Sequence, residues 1–192
     1  MTKGRLEAFS DGVIAIVITI MVLELKVPAS DGWAGLAEVS RGLVAYVLSF
    51  VYLGIYWNNH HHMLHTADRV TGSILWANLH LLFWLSLVPF ATAWISEHEH
   101  LGAAPTAVYG TLLLMAAIAY TILQGRIIAD QGNGSRLARA VGGDWKGKFS
   151  LAAYALSIGL AFVNPWFSVV LFVVVALVWL VPDRRIEAVL GD

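Results

Sequence analysis

The chain has 192 residues, of which 58% are hydrophobic and only 13% charged, with a formal net charge of −1 and no cysteine. A soluble domain carries roughly 25% charged residues so that water can solvate its surface; at half that density, and with a mean hydropathy of +0.71, this chain cannot cover itself in water and suits a bilayer. The near-neutral balance offers no basic field to nucleic acid, and the missing thiols exclude disulfides, thiolate nucleophiles and cysteine-ligated metals.

The N-terminus imitates a signal peptide: Lys3 and Arg5 precede the apolar run Val13–Leu23 and then Val27-Pro28-Ala29. Glu7 and Asp11 put acids where such a leader is basic, so the segment is predicted to be the first membrane helix. A spanning helix needs about 20 mostly apolar residues, and the candidates in chain order are 8–27, 42–64, 70–95 and 105–123. The next apolar run, 148–181, would make a single helix roughly 50 Å long at about 1.5 Å per residue, well beyond a hydrocarbon core of ~30 Å. Asn164-Pro165 falls in its middle, and proline lacks the amide a helix interior needs. Two shorter spans, 148–163 and 166–181, are therefore expected, giving an all-α integral membrane bundle of six transmembrane helices in one domain, 1–192.

Six spans leave both termini on one side. That side would hold Lys3, Arg5, Arg69, Arg126, Arg136, Arg139, Lys146, Lys148, Arg184 and Arg185, against Lys26 and Arg41 on the other. Basic residues concentrate in cytoplasmic loops, so both termini are predicted to be cytoplasmic. The stretch Gln124–Gly147, with Gly132, Gly134, Gly142 and Gly143, reads as a flexible basic cytoplasmic linker.

Chemistry-bearing residues gather at the start of the first helix, in Arg5-x-x-x-Phe9-Ser10-Asp11. A carboxylate just inside an apolar segment is costly unless paired, and Arg5 is within reach. The alternative is an N-terminal cap, in which the Ser10 or Asp11 oxygens accept from free backbone amides. With the following Gly12-Val13-Ile14-Ala15-Ile16-Val17-Ile18-Thr19, the motif resembles the signature of the transmembrane-protein-175 potassium channels. The resemblance continues through Trp57-x-x-His60-His61, Trp76-x-Asn78 and Leu87-Val88-Pro89-Phe90. It covers the first half of the chain, and the rest by length and hydropathy alone. It implies a prokaryotic, single-repeat, plasma-membrane channel assembled as a homotetramer and conducting K⁺ and other monovalent cations. No cofactor is implied.

The resemblance also implies that the first helices line the pore, with Ile16, Ile20 and Leu23 at the constricting apolar positions and Thr19 beside them. Those four stand at i, i+3, i+4 and i+7, which is one helix face. Val13–Val27 contains neither glycine nor proline, and an intact helix consumes its own carbonyls. Side chains rather than a carbonyl cage must then gate and sort ions, with isoleucine and leucine rings acting by constriction and dewetting. The Thr19 hydroxyl is a candidate substitute for part of an ion's hydration. Val108-Tyr109-Gly110 matches a carbonyl-filter motif only partially and is set aside.

Buried polar groups need partners, and a network of Arg5, Ser10, Asp11, His60 or His61, and Asn78 is expected to clamp the pore helix, with Trp57 packed there. Two other classes compete. One is a membrane enzyme with a metal at the cytoplasmic edge, since His61-x-x-x-His65 and His62-x-x-His65 have ligand-like helical spacing. His98 and His100, with Glu97 and Glu99, lie across the membrane and read as a solvated mouth, and His80 as a packing histidine. The other class is a proton-coupled transporter, which would favour broken helices and internal pseudo-symmetry; Pro89 offers a kink, but no repeat is visible.

Overall fold

The computed structural model describes residues 2–97 and 100–180, so His98, Glu99, Arg184 and Arg185 lie outside the described residues. The helices are α1 (Lys3–Leu23), α2 (Trp33–His65), α3 (Gly72–Ser86), α4 (Val88–Glu97), α5 (Ala103–Gln131), α6 (Arg136–Val141), α7 (Trp145–Leu160) and α8 (Pro165–Leu180). By length and composition α1, α2, the continuous run Gly72–Glu97 and α5 are each able to cross a membrane, while α8 is apolar but shorter.

Several boundaries differ from expectation. The first helix begins at Lys3 behind Thr2 and stops at Leu23, where the Glu24 amide closes the last turn onto Met21 and Val22 carbonyls. Ser10 and Asp11 therefore sit in the helix interior, and the capping alternative fails because the free amides lie two turns earlier. The second helix starts at Trp33, nine residues before 42, after Gly32 turns the chain at a φ of 80°. Gly35 is required there, since a Cβ would stand 2.1 Å from the Ser30 carbonyl oxygen.

The Gln124–Gly147 stretch is mostly helical rather than a flexible linker. The α5 helix runs on to Gln131, and α6 is a capped turn in which Ser135 Oγ accepts from the Ala138 amide at 3.2 Å. Asp144, left-handed at φ 44°, then caps α7 by accepting from the Gly147 amide at 3.2 Å.

Pro89 interrupts the third run at Leu87, whose amide falls back to Trp84 at 3.3 Å before Ala91 resumes bonding to Leu87 at 3.2 Å. A proline ring displaces the carbonyl one turn back, yet α3 and α4 remain one 26-residue apolar path. The break at Asn164-Pro165 is as expected. The Asn164 amide bonds the Leu160 carbonyl at 2.9 Å, its side chain accepts from the Trp166 amide at 3.0 Å, and Pro165 opens α8. At helix position one a missing N–H costs nothing.

The α5 helix forms the middle of the bundle, packing against α3 on one side and α7 on the other. Its approach to α7 and α8 is made at Gly110, where a Cβ would meet Ser157 Oγ at 2.9 Å, Phe172 Cζ at 3.3 Å and Ile158 Cγ1 at 3.4 Å. Gly110→Val therefore overpacks a filled space and is expected to cost about 1–3 kcal/mol, read as a lower melting temperature of the detergent-solubilised protein. Tyr109, beside it, bonds Ser49 at 2.9 Å, and Ser49 bonds Thr92 at 2.7 Å. The Val108-Tyr109-Gly110 segment is thus ordinary α5 helix.

Candidate pore face and its polar anchor

Two faces of α1 divide by burial. Leu6, Ser10, Ile14, Val17 and Met21, spaced by three or four residues, are buried against α2, α3 and α4. On the opposite side Ile16 is 58%, Ile20 42% and Leu23 79% exposed in the single chain, and Thr19 is exposed with them. Arg5, Phe9 and Gly12 continue this exposed stripe toward the N-terminus. Thr19 Oγ1 donates to the Ala15 and Ile16 carbonyls, both at 3.0 Å. A hydroxyl has one proton and two lone pairs, so this leaves the oxygen free to accept on the exposed side.

The buried face is held by a side-chain chain through three helices. Asn78 on α3 donates from Nδ2 to Ser10 Oγ on α1 at 2.9 Å, and Ser10 donates onward to the Leu6 carbonyl at 2.9 Å. Asn78 Oδ1 lies 2.6 Å from His60 Nε2 on α2. With the amide oriented this way, Nε2 carries the proton donated to Asn78, while His60 Nδ1 is buried with no hydrogen-bond partner among the described residues. Ser10, Asn78 and His60 are all buried. Beside them Trp57 Nε1 donates to Asp11 Oδ1 at 3.0 Å.

The structure thus brings together Ser10, Asp11, Trp57, His60 and Asn78. It leaves out His61, which is exposed and stacks on His65 at 6.3 Å between ring centroids. Arg5 is exposed and has no partner among the described residues, and Phe9 is also exposed. Trp57, not Arg5, is the partner of Asp11. The signal was present in the sequence: Trp57 and His60 stand at i and i+3, so the helix turn that delivers His60 delivers the indole too.

The other histidines converge on no metal: among the described residues no three or more His, Cys, Asp or Glu could hold one. His80 accepts from Trp84 Nε1 at 2.9 Å, as a packing histidine does. Glu97, expected in a solvated mouth, pairs with Lys26 at 3.1 Å on the surface.

A family described as the endosomal/lysosomal potassium channel TMEM175 matches residues 5–89, which hold every residue of the exposed stripe and of its anchor. The crystal structure of a lysosomal potassium-selective channel TMEM175 homolog from Chamaesiphon minutus superposes with a TM-score of 0.79 at 30% identity, covering 95% of this chain and 97% of that one. The chain belongs to the TMEM175 family. Bacterial relatives match this TMEM175 chain along most or all of its length. A potassium channel of Chryseobacterium sp. (strain P1-3) is 55% identical over 192 residues, all of both chains, and one of Streptomyces collinus is 33% identical over 84% of each.

Proposed function

We propose that this chain is one subunit of a potassium-permeable cation channel, a homotetramer whose central pore is lined by the exposed face of α1. The observation that carries this reading is the division of α1: one face pinned to its own subunit, the other apolar and uncovered. Symmetric copies meeting at an axis would enclose that second face, and membership of a potassium-channel family favours this over a lipid-facing stripe. Ile16, Ile20 and Leu23 form the constrictions, and Thr19 presents its free lone pairs to a passing ion. Since α1 is unbroken from Lys3 to Leu23, backbone carbonyls are unavailable and conduction is passive through side-chain rings. Such a site separates K⁺ from Na⁺ less sharply than a carbonyl cage. The protein is a channel and not an enzyme.

The α7–α8 hairpin supplies the fifth and sixth spans in this reading, and the ten-to-two distribution of Lys and Arg supports cytoplasmic termini in a prokaryotic plasma membrane. The test is flux from liposomes loaded with potassium, with sodium-loaded and protein-free liposomes alongside. Potassium-favouring efflux that scales with protein is expected. Folded, inserted protein that passes neither cation would sink the reading.

A further inference from the structure

A cavity of about 140 Å³ lies away from the α1 face, between α2, α5, α6 and α7, with Trp179 of α8 at its side. Aromatic rings form much of its wall, where Tyr56 and Tyr120 meet edge to face at 6.2 Å and Tyr52, Tyr154 and Trp179 join them, beside aliphatic residues such as Ile55 and Leu137 and the polar Asn59 and His62. Gln124 is 8% exposed and Tyr56 9%. The Gln124 amide and the Tyr56 hydroxyl have no hydrogen-bond partner among the described residues. Neither is sealed behind apolar atoms, as His60 Nδ1 is; both residues line the cavity. Both residues therefore offer polar groups to whatever occupies the cavity, rather than to another side chain of the protein.

We propose that this cavity binds a small neutral ring compound carrying a hydroxyl or N–H, of the size and class of phenol or indole. Size sets the upper bound, because a cavity of roughly 150 Å³ accepts benzene. Aromatic walls favour a ring packed edge-on or offset. The Gln124 amide both donates and accepts and the Tyr56 hydroxyl does the same, so together they fix one polar group of the ligand. Neutrality follows from the rim, where both charges are engaged: Asp144 caps α7 through the Gly147 amide at 3.2 Å, and Lys146 Nζ lies 5.7 Å over the Trp179 ring. Exposed Trp145 also lines the cavity and gives it a route to the surface. A bound ring would brace α2 against α5 one turn from His60.

The test is fluorine NMR of 4-fluorophenol with the full chain in nanodiscs, against empty nanodiscs, and it requires no conduction. One saturable site per chain, displaced by excess phenol, is expected. Tyr56→Phe, which removes a single oxygen, should weaken it at least about tenfold, and Gln124→Leu, of similar volume, should do the same while the protein elutes as wild type does. Binding that never saturates, or that saturates equally in both variants, overturns the proposal. So does the absence of any protein-dependent signal, in which case water fills the cavity.

Discussion

Replacing Ile16 by asparagine should raise potassium flux through reconstituted protein by about tenfold, equivalent to lowering a barrier by ~1.4 kcal/mol. In a tetramer the substitution changes a whole ring at once. A narrow ring of isoleucines excludes water because its walls offer no hydrogen bonds, and an ion cannot enter a dry constriction without shedding its hydration. In the proposed tetramer four amides at the same height would hold water there. Ile16 is 58% exposed in the single chain and lies outside the buried core, so the change should leave folding intact. Ile20→Asn and Leu23→Asn test the same stripe further along, and Leu156→Asn, exposed on α7, is the control expected to do nothing. Unchanged flux in all three α1 variants would place the conduction path elsewhere.

Asn78→Leu should destabilise the protein by about 2–6 kcal/mol, the cost of stranding two buried partners at ~1–3 kcal/mol each. Leucine fills nearly the same volume but neither accepts from His60 nor donates to Ser10, whose distances to Asn78 are 2.6 and 2.9 Å. Thermal unfolding followed by size-exclusion chromatography measures this. The instructive comparison is His60→Leu with Asn78→Leu: the pair should cost less than the sum of the singles, since groups in one network do not add. Strict additivity would mean that the His60–Asn78 contact contributes nothing.

Much of the architecture was legible because apolar length and proline position speak directly about helices in lipid. Asn164-Pro165 ended α7 and opened α8 as their chemistry requires. What hydropathy could not find was helix outside the apolar window. Residues 33–41 hold Glu38 and Arg41, and Gln124–Gln131 holds Arg126 and Asp130. Both stretches dilute the apolar signal while being rich in helix formers such as Ala, Leu and Gln, so α2 begins earlier and α5 ends later. The α6 turn had a readable start in Ser135 and stop in Gly142, masked by the surrounding glycines. In the anchor, Ser10 and Asn78 could be named from sequence, but the choice of His60 over His61 depends on the rotation of α2. Around that point α2 carries polar side chains on every face, Asn58, Asn59, His60, His61, His62 and His65, so periodicity gave its buried face no contrast. Once Leu53, Tyr56, His60 and Leu64 are seen buried together, the phase is plain.

The α7–α8 hairpin has a further consequence. Helix α7 has 16 residues between its Asp144 and Ala161 caps, about 24 Å at ~1.5 Å per residue, against a hydrocarbon thickness near 30 Å. On the six-span reading this flank is several ångströms too short for its surroundings, whereas α2 has 33 residues and length to spare. Lipid chains beside α7 would then have to compress, at fractions of a kcal/mol per Å of mismatch. The subunit would thus sit in an asymmetric annulus, pinched on one flank and relaxed on the other. Acyl-chain length then becomes a physical variable acting on the helix pair that packs against α5, away from the proposed ion path along α1.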